Sequence, residues 1–208
     1  SSSLSPAFWL IVFSVFTFIV VIKGVEKGIE KVSKVLMPIL VAMAIFISVY
    51  GLMTPGAIEG LKYYIIPDFS NFSIMTVIAA VGQMFYSLSI GMGILFTYGS
   101  YMKKEVDMEK AISQVEIMDT LIAFLAGLMI IPAVFAFSGK ESLNAGASLM
   151  FITMPKVFDS LQLGGFIGLV FFLLVLFAAL TSAISLMECS VATLMEQLQK
   201  KKKKASFV

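Results

Sequence analysis

Asp119 stands about two turns inside an apolar run that extends from Ala111 to Phe137. An ionised carboxylate at the centre of a membrane helix costs roughly 2.5–3.5 kcal/mol, so it calls for a cation, a proton or a partner. No lysine lies in the same run, which leaves no ion pair within that helix. Na⁺ fits this demand as a hard cation that prefers oxygen ligands, with Ser87 and freed backbone carbonyls as further donors. The other reading is a protonated Asp119, hydrogen-bonded for packing. A second polar concentration gathers Gln83, Ser87, Ser89, Gly91 and Gly93 in the middle of another apolar run. Glycine costs about 1 kcal/mol in a helix interior. Unwound backbone at membrane depth is tolerated only where it faces protein, water or a ligand. The segment is therefore either a broken helix that holds a substrate or a close helix contact through small residues. A third concentration, Ala178, Ala179, Thr181, Ser182 and Ser185, puts several hydroxyls beside small residues. Such hydroxyls either face an ion together with oxygens from a neighbouring helix or bond back to their own carbonyls. Glu188 is a second candidate for a buried carboxylate, with a coupling role as one reading, while its nearness to the cytoplasmic end favours a solvated or water-lined position. Thr97, Gln114 and Thr120 read as ordinary interhelical hydrogen-bonding residues.

Composition narrows the chemistry. The 208 residues are 59% hydrophobic and 13% charged, with a mean hydropathy of +0.99. A soluble domain keeps roughly 25% of its residues charged, so this balance belongs in lipid. Histidine and arginine are both absent. Their absence excludes a Ser-His-Asp triad, histidine metal ligands and bidentate phosphate clamps, and neither an enzyme nor a nucleic-acid binder is expected. Cys189 is the single cysteine, so no disulfide or thiolate-metal site forms within the chain.

The elements that must position these residues are five apolar runs. An all-α integral membrane fold is expected, with helices at about 6–22, 35–53, 74–101, 111–137 and 164–195, the third of them broken. Each crossing takes about 20 apolar residues. The first run has no basic residue before it and no small-residue cleavage site after it, so it reads as a span and not a cleaved signal. Loops at 54–73 and 138–163 fall on one side. Loops at 23–34 and 102–110, with the tail 196–208, fall on the other. That second side holds 12 of the 15 lysines, including Lys200 to Lys204, and the positive-inside rule makes it cytoplasmic. The five-lysine tail is a retention and solvation charge run or, alternatively, a site for anionic lipid.

Five segments, in order, match one family. They are KGVEKGIEKVSKVLMPIL, YIIPDFS, GQMFYSLSIGMGILFTYGSY over 82–101, MDTLIAFLAG and LFAALTSAISLMECSVA. Together they resemble the fourth-to-fifth helix junction, third outer loop, and sixth, seventh and eighth helices of the neurotransmitter:sodium symporters, of bacterial amino-acid transporter type. The resemblance implies a sodium-coupled amino-acid or small-amine symporter of the cell membrane that works by alternating access. By the same resemblance, Tyr86, Ser87, Ser89, Met92, Ser182 and Leu186 line the substrate site. Ser87 and Asp119 fall on one sodium site, and Ala178, Thr181 and Ser182 on another. Gln83 matches the outer gate and Tyr101 the cytoplasmic gate. Asp119 replaces a frequent asparagine, and Ala123 stands where chloride-dependent members have serine, so chloride independence is implied.

Family members have eleven or twelve helices, and the chain resembles the fourth to the eighth. Its implied partners are the remaining helices of the same transporter, the lipid bilayer, the amino-acid substrate and Na⁺, with a homo-oligomer as a further possibility. Alone, the chain is expected not to run a transport cycle. The alternative function is a truncated, non-transporting scaffold that packs with partner helices.

Overall fold

The computed structural model describes residues 5–139, 143 and 148–198. The Lys200–Lys204 run and part of the expected outer loop 138–163 lie outside them. The described residues are helical nearly throughout and fall into two units. One unit takes the chain up to Ile39, Phe85–Val106 and the part from Leu176 on. The other takes Leu40–Met84 and Asp107–Val175.

In the first unit, α1 (Pro6–Ile22) starts at a Ser5 cap whose hydroxyl accepts from the Ala7 N–H at 3.2 Å. Proline at the first helical position gives up no hydrogen bond there. A π-helical turn (Val25–Ile29) leads into α2 (Glu30–Leu52). An i,i+4 pair, Glu30 with Lys34 at 2.6 Å, carries that helix back into the charged stretch expected as loop. Residues 85–93, all of α5 (Ile94–Tyr101) and the end of α8 (Gly164–Leu198) also belong to the unit. Val20, Val21, Ile29, Leu180, Ile184 and Val191 form its buried core, with Val25, Leu36 and Tyr98 packed around them.

The second unit is built on α6 (Met108–Ser138), capped by Asp107, whose carboxylate accepts from the N–H groups of Glu109 and Lys110. Against it packs α3 (Ala57–Ile65), a helix inside the expected outer loop. A Cβ on Gly60 would lie 2.7 Å from Phe135 Cβ and 2.8 Å from Pro132 Cα, and one on Gly127 would run into the Tyr64 ring. The two helices thus meet backbone to side chain, as small residues allow in lipid. Tyr64 stacks on Phe124 with centroids 5.5 Å apart, and burial there pushes its phenol above the ordinary tyrosine range. Buried Ser48 of α2 donates to Ala44 O at 2.7 Å and also lies 3.2 Å from Leu125 O of α6. A 3₁₀ turn (Phe69–Asn71), most of α4 (Ile74–Ser87), a π-helical turn (Leu149–Thr153), α7 (Met154–Asp159) and the first part of α8 also belong here.

Among the described residues three helices, at Lys27–Leu52, Met108–Ser138 and Gly164–Gln197, are long and apolar enough to cross a membrane, by length and composition. Pro6–Ile22 and Ile74–Ser87 are apolar but shorter, the second ending within the expected 74–101. At 1.5 Å per residue, the 17 residues of α1 cover about 25 Å. The expected break in the third helix is present, with residues 88–93 separating α4 from α5. Many large apolar side chains are exposed, among them Trp9, Leu10, Ile11, Phe166 and Leu169. In water that surface would mark an interface or an aggregation hazard. In a bilayer, acyl chains solvate it.

Candidate functional site

The break begins where α4 ends in a Schellman motif. Ser89 N–H donates to Tyr86 O at 2.9 Å, and Ile90 N–H reaches back to Phe85 O at 3.2 Å. This pattern needs one left-handed residue, usually glycine. Here it is Ser89, with φ +56, the one described non-glycine residue with positive φ. A side chain in that conformation costs about 1–2 kcal/mol, the kind of local strain that concentrates at functional sites. The break ends at Gly93, which is left-handed at φ +72. Its carbonyl accepts the first backbone bond of α5, from Thr97 N–H at 3.0 Å.

One face of α5 is bound to one face of α8. Tyr98 Oη lies 3.1 Å from Ser185 Oγ. Tyr101 donates its hydroxyl to Glu188 Oε1 at 2.9 Å. Thr97 Oγ1 lies 3.3 Å from Cys189 Sγ, and that thiol donates to Met92 O at 3.4 Å. Residues 97, 98 and 101 share one face of α5, and residues 185, 188 and 189 share one face of α8, by i,i+3 and i,i+4 spacing. Glu188 corrects the expected solvated position, since it is only 1% exposed. The reason is helical phase. Leu180, Ile184, Glu188 and Val191 form the buried stripe of the second half of α8, and nearness to the cytoplasmic end does not override that register.

The remaining expected site residues distribute as follows. Tyr86 and Ser87 are exposed at the end of α4, while Ser89 and Met92 are half-buried in the break. On α8, Ala178 and Thr181 are half-buried, and Ser182 and Leu186 are exposed. Thr181 Oγ1 donates to Ala178 O at 2.9 Å, which settles its hydroxyl on its own helix and brings two of the expected sodium ligands together. All of these, with Tyr101, belong to the first unit. Gln83, Asp119 and Ala123 belong to the second, where Gln83 and Ala123 are exposed and Asp119 is half-buried. Gln114 and Thr120 are exposed on α6, whereas Thr97 bonds both Gly93 O at 3.0 Å and α8.

An open cleft of about 490 Å³ lies between α5 and α8, lined by Phe96, Ser100, Tyr101, Thr193 and Glu196 among others. Tyr101 is the one expected site residue that borders it. Sequence reasoning missed Tyr98, Ser185 and Cys189 as cross-helix partners, although their spacing on two helices carried the signal. Among the described residues no group of three acidic or cysteine side chains is placed to hold a metal ion. Ala178 O and Thr181 Oγ1 are two oxygens that α8 places 2.9 Å apart.

The chain is similar to several known transporters. The chain is 39% identical over 197 residues to an uncharacterized sodium-dependent transporter, YhdH, of Bacillus subtilis (strain 168), covering 95% of this chain and 43% of that protein. It is 29% identical over 202 residues to the sodium-dependent serotonin transporter of Drosophila melanogaster, covering 92% of this chain and 32% of that one. The crystal structure of MhsT in complex with L-phenylalanine superposes with a TM-score of 0.85 at 41% identity, over 97% of this chain and 46% of that chain. The chain thus spans less than half the length of these relatives. The model of the sodium:neurotransmitter symporter family matches residues 4–208. The chain belongs to the sodium:neurotransmitter symporter family, a family of multi-pass transporters of the cell membrane.

Proposed function

We propose that this chain forms the substrate- and ion-binding middle part of a Na⁺-coupled symporter that carries an amino acid or a related small amine. The observation that carries this reading is the break at 88–93. It combines a strained Ser89 and a left-handed Gly93 with side chains that tie its far end to α8. Backbone unwound in this way at membrane depth has a use where it meets a ligand. Tyr86, Ser87, Ser89, Met92, Ser182 and Leu186 are assigned to the substrate. Small hydroxyls beside Tyr86, Met92 and Leu186 suit an apolar or aromatic side chain, in keeping with the L-phenylalanine named in the MhsT complex.

Na⁺ is assigned to Ala178, Thr181 and Ser182, and a second Na⁺ to Ser87 and Asp119. Two oxygens 2.9 Å apart, as Ala178 O and Thr181 Oγ1 are, both fit within about 2.5 Å of one hard cation. Asp119 brings its own negative charge, and with Ala123 in place of a serine the transport is chloride-independent. Each Na⁺ that enters at −100 mV contributes roughly 2.3 kcal/mol from the membrane potential. Gln83 closes the outer side. Tyr101 closes the cytoplasmic side, with Glu188 as its partner on α8. The further helices of the same transporter complete both sites.

The test is uptake of labelled L-phenylalanine and a panel of other amino acids into proteoliposomes. These carry the complete reading frame that contains this segment, with external Na⁺ or K⁺. Na⁺-driven accumulation that is lost in Asp119→Ala and indifferent to chloride is expected. Uptake that runs equally well in K⁺ refutes the proposal.

A further inference from the structure

The two ends of the break are held in different ways. The first is closed by the backbone of α4 itself, through the Schellman bonds at Ser89 and Ile90. The second depends on α8. The first backbone bond of α5 runs from Thr97 N–H to Gly93 O, so the carbonyl one residue earlier, that of Met92, lies outside the helical ladder. A backbone carbonyl inside a membrane protein needs a donor, and here the donor is the Cys189 thiol at 3.4 Å. The same sulfur sits 3.3 Å from Thr97 Oγ1, and a Cβ on Gly93 would lie 3.4 Å from it. Carbonyl, hydroxyl and glycine thus seat this one thiol where the break turns into α5.

We infer that Cys189 is a positioning residue of the substrate site. By holding the Met92 carbonyl, it fixes the turn through Gly93 and hence the depth at which the Met92 side chain meets the substrate. The inference rests on the assignment of Met92 to that site. A thiol is a weak donor with a long reach. It suits a contact that must hold the unwound strand yet let it shift as the site fills and empties. The effect falls on substrate affinity, since neither Cys189 nor Thr97 is assigned to the substrate or to Na⁺.

The test compares wild type, Cys189→Ala and Cys189→Ser in the complete reading frame, as Na⁺-driven L-phenylalanine uptake into proteoliposomes. Cys189→Ala is expected to raise KM roughly three- to tenfold, the worth of one net hydrogen bond, with Vmax per folded carrier and half-saturation by Na⁺ unchanged. Cys189→Ser, which keeps a donor, should recover most of the loss. The infrared S–H stretching band, isolated as the wild type minus Cys189→Ser difference, should stand at a hydrogen-bonded frequency and move when L-phenylalanine is added. A KM in Cys189→Ala within about twofold of wild type overturns the inference. So does a serine variant no better than alanine, or a band that substrate leaves in place. If the alanine variant does not fold, the serine variant and the band decide. Na⁺-driven uptake with an unchanged KM removes this inference alone, whereas a wild type without Na⁺-driven uptake removes the proposed function and this inference with it.

Discussion

Ser89 offers a sharp test of the break, because its backbone conformation and its side chain are in conflict. At φ +56 it occupies the position of a Schellman motif where glycine is the usual residue. Replacing it by glycine relieves about 1–2 kcal/mol of left-handed strain. The same change costs about 0.5–1 kcal/mol through the greater freedom of the unfolded chain. Alanine keeps the strain and supplies no hydroxyl. Ser89→Gly should therefore be more stable than Ser89→Ala by about 0.5–1 kcal/mol. For a chain of this size, that is a difference of about 1–4 °C in Tm. Ser87→Gly provides the control, since Ser87 closes the right-handed α4 two residues earlier. There glycine has no strain to relieve, and stability should fall by up to about 1 kcal/mol. Thermal unfolding of the purified protein in detergent, followed by far-ultraviolet circular dichroism, reads all three variants. If Ser89→Gly and Ser89→Ala melt together, or if Ser87→Gly shifts in the same direction as Ser89→Gly, the left-handed turn is not what ends α4.

Two further perturbations address the helix contacts. Tyr101→Phe removes a donor from the buried Glu188 and should cost about 1.5–3 kcal/mol, as expected for a hydrogen bond to a carboxyl group away from water. In a double-mutant cycle with Glu188→Leu, the two losses should fall well short of adding, by about 1 kcal/mol or more, and additive losses would mean that the two groups are not coupled. On α3 and α6, Gly60→Ala should destabilise by about 1–3 kcal/mol, because the added methyl meets Pro132 Cα and Phe135 Cβ, which cannot swing aside. Gly127→Ala meets the far end of the Tyr64 side chain, which can swing aside, so its loss should be the smaller one and should be relieved by Tyr64→Leu. Thermal melts that rank Gly127→Ala as the more damaging change would contradict this account of the interface.

How far the sequence revealed the site depends on what apolar residues can signal in lipid. In a soluble helix the apolar stripe marks the core. In a membrane helix the lipid face is equally apolar, so Leu180 and Ile184, which are buried, cannot be told by type from Leu169 and Leu186, which are exposed. The break was legible because Gln83, Ser87, Ser89, Gly91 and Gly93 have no use on a lipid face. Its left-handed residue was not, because Ser89 takes the conformation that its neighbours Gly91 and Gly93 would adopt more readily. Thr181 was left open between an ion and its own carbonyl, since both outcomes ask the same of the sequence. The solvated position favoured for Glu188 came from its nearness to the cytoplasmic end of its helix, although its register with Leu180 and Ile184 puts it on the packed face. The few polar side chains are then the remaining clue to which face packs. Of the polar side chains on the two helices, those at 185, 188 and 189 of α8 meet those at 97, 98 and 101 of α5, whereas Ser182, Ser190 and Ser100 stay exposed, so phase must be read together with residue type. Read in that way, Cys189 belongs with the residues that hold the site in shape.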